Sequence, residues 1–240
     1  MKLIVFAFLP FYLACSRSSK TKKTYSGIVN VTHQIFDSGV IASSKPVIKW
    51  ATKIWYKDSL SIQEVKLLRF FTSSKEKTFK EILLYYIFID PKYNSYYYYK
   101  NFSDTASIFK SYAGVDSFKV DGGWNFYLKK DLNYEGSPEV FNDTVINQIR
   151  YKRMKFNTLM GKDNYITIAY FRCDKIGTMF KFDYSYSEKL GCPLTKIDDF
   201  PTERGTSTKT EIDFLTNGLT SEELKVFDAW EKNEKKYPVK

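Results

Sequence analysis

Glu81-Ile82-Leu83-Leu84-Tyr85-Tyr86-Ile87-Phe88-Ile89-Asp90 is a dense apolar and aromatic run, and Ser95-Tyr96-Tyr97-Tyr98-Tyr99-Lys100 answers it after Asp90-Pro91-Lys92-Tyr93-Asn94. Proline presets a turn torsion and asparagine tolerates a left-handed one, so residues 80–102 predict a β-hairpin. Neighbouring side chains on a strand point to opposite faces, which puts aromatics on both sides of this hairpin. One side must be core. The other is either covered by a helix or forms an exposed aromatic surface. Tyr85, Tyr86, Phe88, Tyr96, Tyr97, Tyr98 and Tyr99 are therefore the candidate ligand surface, suited to acyl chains in a groove or to sugars stacked on rings. The competing reading is that these large rings simply fill a sheet core.

Outward from the hairpin the period-2 pattern continues. Val29–Ile35 alternates apolar and polar residues, and Val47–Tyr56 places Ile48, Trp50, Ile54 and Tyr56 on one face. Lys57-Asp58-Ser59 turns into a strand over Leu60–Phe71. Further strands are predicted at Trp124–Lys129, Thr144–Phe156 (long, with a bulge), Tyr165–Cys173, Thr178–Tyr184, Leu194–Phe200 and Thr208–Leu215. Asn133–Pro138 reads as loop. Ser103-Asp104 before Thr105–Tyr112 has the form of a capped short helix. About ten short strands at regular spacing argue for a barrel, a half-barrel or a sandwich.

The C-terminus carries the strongest helix signal. Thr220-Ser221-Glu222-Glu223 is a capping box, Leu219 and Leu224 occupy the staple positions, and Leu224, Phe227 and Trp230 form an apolar stripe. Lysines 232, 235 and 236 favour the negative end of the helix dipole. The helix is expected to dock on the sheet.

With 43% hydrophobic and 18% aromatic residues, the 240-residue chain can build a substantial core, and its Tyr and Phe content points to sheet. The net charge of +10 is spread along the chain rather than gathered in a basic stripe. With no nucleic-acid-binding motif present, nucleic acid is not an expected partner. Dispersed lysine serves solubility and attraction to anionic surfaces.

Catalytic constellations are sparse. His33 is the only histidine and lies inside a predicted strand, so His-dependent catalysis and a His-rich zinc site are not expected. Asp198-Asp199 and Glu222-Glu223 are adjacent pairs, but strand neighbours point apart and the second pair serves the helix cap. Gly122-Gly123 is a turn rather than a phosphate loop. No catalytic residue, metal or cofactor is assigned, and the chain is expected not to be an enzyme. Cys173 and Cys192 bracket a loop of about twenty residues, whose closure is worth about 3 kcal/mol on the chain-entropy model. They are expected to form a structural disulfide.

The N-terminus supplies an address. Met1-Lys2 precedes a twelve-residue apolar run, Leu3 to Ala14, too short to span a bilayer as a helix, and then Cys15. Leu13-Ala14-Cys15 resembles the lipobox of bacterial lipoproteins, in which the Cys receives the lipid; Tyr12 stands where an aliphatic residue is usual. A leader cleaved by the ordinary peptidase, or a buried first element, are the competing readings. Ser16 to Lys23 is polar and basic, the composition of a flexible tether. Through the lipobox-like triplet the chain resembles the small secreted lipoproteins of Gram-negative bacteria. Through Tyr86–Asp90 turning into Tyr96–Tyr99 it is similar to the lipoprotein-carrier half-barrels. That second resemblance implies a curved antiparallel sheet around helices that holds acyl chains in an apolar concavity, and it transfers no functional residue.

These readings give a signal peptide over 1–14, a lipidated Cys15 with a tether over 15–23, and one β-rich domain over 24–240. The expected fold is a single antiparallel curved sheet, half-barrel or barrel, with a short internal helix and a C-terminal amphipathic helix. The expected protein is an exported outer-membrane lipoprotein on the periplasmic or surface side, anchored to the membrane through its lipid. Its leading function is non-enzymatic binding of an apolar or amphipathic ligand or of an envelope component. A carbohydrate-binding or adhesin-like role is the alternative, and a hydrolase the third reading.

Overall fold

A computed structural model describes residues 25–37, 45–72, 77–90, 92, 95–113, 134–160, 163–175, 187, 190–203, 205–215 and 218–239. The leader, Cys15, the tether, Gly122-Gly123 and the predicted strands Trp124–Lys129 and Thr178–Tyr184 lie outside the described residues.

Among the described residues, eleven strands form one antiparallel sheet. They are β1 (Ser26–Phe36), β2 (Ile48–Lys57), β3 (Leu60–Thr72), β4 (Lys77–Asp90), β5 (Ser95–Tyr99), β6 (Ile108–Ala113), β7 (Tyr134–Ile146), β8 (Ile149–Met160), β9 (Asp163–Arg172), β10 (Leu194–Pro201) and β11 (Ser207–Leu215). The order is β6-β5-β4-β3-β2-β1-β11-β10-β9-β8-β7. Two meanders, β1–β6 and β7–β11, are thus joined by the pairing of β1 with β11. Strands β6 and β7 are consecutive in the chain yet stand at opposite ends of the sheet. The sheet is open, so the closed-barrel alternative falls away. One α-helix follows at the C-terminus, α1 (Ser221–Lys236).

Two further expectations are corrected. The predicted short internal helix over Thr105–Tyr112 is instead a turn and then β6, which pairs with β5 from Ser95↔Ala113 to Tyr99↔Ile108. The helix-cap signal belongs to the turn: Ser103 Oγ meets Thr105 Oγ1 at 2.9 Å, and the Ala106 N–H donates to the Ser103 carbonyl at 3.2 Å. Likewise Thr144–Phe156 is not one bulged strand but the two arms of the β7–β8 hairpin, and β7 begins inside the expected loop. Asn147 and Gln148 make the reversal with φ of 50° and 65°, the left-handed backbone of a two-residue hairpin turn.

The register divides the core between two faces. On one, Trp55, Ile62, Phe88, Tyr97 and Tyr99 meet Val226, Phe227 and Trp230 of α1. On the other lie Val65, Ile87, Ile89, Tyr96 and Tyr98, and farther along the same face Val29, Val31, Ile54, Met154, Phe156, Ile197 and Ile212. Burying each such side chain is worth roughly 1.5–3 kcal/mol. The Cys173–Cys192 disulfide is formed and packs on the second group with Phe171 and Leu194.

Candidate functional site

The helix docks on the sheet as expected, but through Val226, Phe227 and Trp230; Leu224 of the predicted stripe is only half-buried. Thr220 Oγ1 accepts from the Glu223 N–H at 3.2 Å, and the Thr220 N–H donates back to Glu223 Oε2 at 2.9 Å. The other oxygen of that carboxylate accepts the Trp55 indole N–H at 2.6 Å, and Lys53 Nζ stands 3.7 Å away. Burial alone would raise the Glu223 pKa; the hydrogen bonds from Thr220 and Trp55 and the Lys53 charge outweigh it and hold the group below its ordinary value. Further along, Trp230 stacks flat on Tyr99 with centroids 3.7 Å apart, and its N–H donates to the Ser103 carbonyl at 2.9 Å.

The seven candidate ligand-surface residues divide by register. Phe88, Tyr97 and Tyr99 lie under the helix, while Tyr96 and Tyr98 lie on the opposite face; all five are buried. Tyr85 and Tyr86 are half-buried. Tyr86 packs beside Phe102, and Tyr85 leans on Tyr98 and Phe109. Exposure among the seven is confined to these two residues.

Exposed apolar surface gathers next to them instead. β2 pairs with β3 only from Ile54↔Gln63 to Lys57↔Leu60, and β5 pairs with β4 only between Tyr86 and Asp90. β3 and β4, however, stay paired out to Thr72↔Lys77. Beyond Glu64 and before Tyr86, β3 and β4 therefore pair only with each other. They form a two-stranded extension that parts from β2, which stays with β1 as far as Ile48; Val65 at its root is still buried. Phe70 is 58% exposed, Leu67 49%, Phe71 46%, Leu83 43% and Leu84 38%. Phe70 and Phe71 are neighbours on one strand, so rings stand on both faces of the extension. Arg69 lies over the Phe71 ring at 5.5 Å, and Lys80 is exposed opposite it in register. Lys66 is tied at the root to Glu64 and Glu81, at 3.2 and 3.3 Å. The strand over Leu60–Phe71 was legible in the sequence, but the early end of the β2 pairing was not.

The remaining sequence candidates occupy structural roles. His33 is buried, stacks on Trp50 at 4.7 Å and meets Thr210 Oγ1 at 3.1 Å. Desolvation lowers its pKa to about 4, so the ring is neutral near pH 7. Asp199 accepts from Thr167 at 2.6 Å and Thr208 at 2.7 Å on one face, and burial raises its pKa. Asp198 points to the other face and pairs with Lys196 at 2.6 Å. The adjacent carboxylates thus point apart, as strand geometry requires. Among the described residues no group of three or more His, Cys, Asp or Glu could hold a metal ion, and no helix is long and apolar enough to cross a membrane.

Sequence reasoning missed one buried pair. Asp90, at the end of β4, and Glu234, in the last turn of α1, are both buried. The Ser95 hydroxyl donates to Glu234 Oε1. A cleft of about 310 Å3 opens beside them, lined by Ser95, Tyr97, Glu234, Lys235, Pro238 and Val239.

No protein-family model and no curated protein matches the chain. Among solved structures, the chain is similar to an outer membrane lipoprotein-sorting protein domain from Vibrio parahaemolyticus, at 10% identity. The alignment covers 89% of this chain and 92% of that one, with a TM-score of 0.20, a value too low to carry an argument about fold or function.

Proposed function

We propose that this chain is an exported envelope lipoprotein, anchored through Cys15, that binds amphipathic lipid-like ligands without catalysis and meets the membrane surface through the β3–β4 extension. The observation that carries the reading is the exposure of Leu67, Phe70, Phe71, Leu83 and Leu84 beside Arg69 and Lys80. Rings on both faces of a two-stranded ribbon suit a medium that surrounds it. The outer edges of the ribbon carry backbone groups that the neighbouring strands leave unpaired, and such edges do not enter the hydrocarbon core. Contact is therefore shallow, with the rings at the headgroup boundary and the basic groups among lipid phosphates.

Each of the two membrane signals is weak alone. A single acyl chain gives reversible binding, and a second signal makes the anchor stable. The extension supplies that second signal, supported by the basic tether, and half-buried Tyr85 continues its apolar surface toward the domain. The carbohydrate-binding alternative drew on an exposed tyrosine row; burial of Tyr96–Tyr99 leaves it without that support.

Co-sedimentation with phosphatidylglycerol-containing vesicles tests the reading, using full-length Cys15→Ser protein so that only the extension acts. Phe70→Ser/Phe71→Ser is expected to weaken binding by roughly 2 kcal/mol, about 30-fold. Binding unchanged by that double substitution, or absent in the parent, rejects the membrane-surface role.

A further inference from the structure

The buried stripe of α1 runs Val226, Phe227, Trp230, Glu234, so a carboxyl occupies the position where helical periodicity calls for an apolar residue. Glu234 is 3% exposed and Asp90 5%. Asp90 closes β4 directly opposite Ser95, the first residue of β5, and Asp90 Oδ1 accepts the Lys92 N–H at 2.8 Å. Ser95 Oγ–H satisfies Glu234 Oε1, whereas Glu234 Oε2 is buried with no hydrogen-bond donor. Ser95 thus links the two carboxyls: it donates to Glu234 and stands directly opposite Asp90 in register. Two carboxylates cannot bond to each other; a carboxylic acid and a carboxylate can.

We propose that Asp90 and Glu234 share one proton and that this pair latches the C-terminal turn of α1, with the Tyr237–Val239 tail, onto the β4–β5 hairpin. Among the described residues, the groups facing the pair come from β5 and α1. From β5 come Ser95, Tyr97 and Tyr99; the Tyr97 hydroxyl donates to the Tyr237 carbonyl at 3.2 Å, and the Tyr99 ring is stacked on Trp230. From α1 come Glu231, which adds negative charge, and Lys235, which pairs with Glu231 at 2.8 Å. Burial first, then the Asp90 charge and hydrogen bond, push Glu234 up to about 7, against the opposing Ser95 hydrogen bond. Below that pH the Glu234 carboxyl is neutral and its second oxygen can donate to Asp90. Above it, two adjacent buried charges drive the last turn off the hairpin. The cleft of about 310 Å3 lined by Ser95, Tyr97, Pro238 and Val239 then widens. The C-terminal end of the helix thereby becomes a gate that responds to pH near neutrality.

Carboxyl carbon NMR of wild-type protein, read with amide exchange over residues 231–239, tests the latch. The Glu234 resonance is expected to titrate near pH 7. Exchange protection of residues 234–239, corrected for intrinsic rates, is expected to fall at least tenfold between pH 6 and 8. Glu234→Gln, whose amide donates to Asp90 in place of the proton, is expected to stay protected across that range. Asp90→Asn is expected to move the midpoint downward. A Glu234 resonance titrating near 4.5, protection that does not change with pH in wild type, or an unmoved midpoint in Asp90→Asn overturns the proposal.

Discussion

The indole N–H of Trp55, on β2, donates at 2.6 Å to Oε1 of Glu223, whose other oxygen closes the capping box of α1. One carboxylate therefore caps the start of the helix and fixes where it lands on the sheet. Glu223→Ala removes a cap, worth about 1 kcal/mol, and a hydrogen bond to a charged group, worth about 1.5–3 kcal/mol. Urea unfolding is expected to show a loss of about 2–4 kcal/mol, with Trp55→Phe and the double variant closing a cycle of positive coupling. Because Glu223 sits below its ordinary value of 4.5, its contribution is present above that pH and is lost as pH falls beneath it.

Tyr99 and Trp230 stack with planes 3° apart at the centre of the helix-facing core. Trp230→Ala is expected to cost about 3–5 kcal/mol, and Trp230→Phe clearly less. Thermal unfolding followed by circular dichroism measures both. Equal effects would mean that the ring Phe retains contributes nothing and that the indole's extra size and its bond to Ser103 carry the whole contribution.

Two buried groups give stability opposite slopes in mildly acidic solution. His33 falls to about 4 in the folded protein from 6.5, so as pH drops from 6.5 to 4 the unfolded chain takes up the proton first and stability declines. The full effect approaches about 3 kcal/mol. Glu234 rises to about 7 from 4.5, so the folded state takes its proton first and stability climbs as pH drops through the same range. His33→Gln, which keeps a donor for Thr210, is expected to leave the climb alone, and Glu234→Gln to leave the decline. Urea midpoints at half-unit pH steps separate them.

Reduction of Cys173–Cys192, separated by 19 residues, breaks the link that packs with Phe171 and Leu194. A loss of about 3 kcal/mol is expected for Cys173→Ser/Cys192→Ser. Matching urea midpoints for that variant and reduced wild type would confirm that the bond, not the side chains, carries the effect.

Period-2 patterning made most strands readable, from Val29–Ile35 to Thr208–Leu215, and Thr220-Ser221-Glu222-Glu223 announced the helix in full. The failures have a common physical cause. Ile108–Ala113 follows local signals that suit a helix cap, but the open side of β5 offers backbone partners across five registered pairs, and pairing overrides the local preference. Asn147-Gln148 lacks the glycine that usually marks a two-residue turn, so β7 and β8 read as one strand. For the candidate site, the aromatic hairpin was legible, but which of its faces was covered depended on where α1 lands. Asp90 and Glu234 are 144 positions apart, and only the docked helix brings them together.

If Phe70 and its neighbours meet lipid, an environment-sensitive fluorophore at that position reports the contact. We would label Phe70→Cys, and Val140→Cys on β7 as the distant exposed control, in Cys15→Ser protein whose remaining cysteines are held in the disulfide. On adding phosphatidylglycerol-containing vesicles, the account predicts a blue-shifted emission shielded from aqueous quencher at position 70 and no change at position 140. A probe at position 70 that stays as water-exposed as the one at 140 contradicts it.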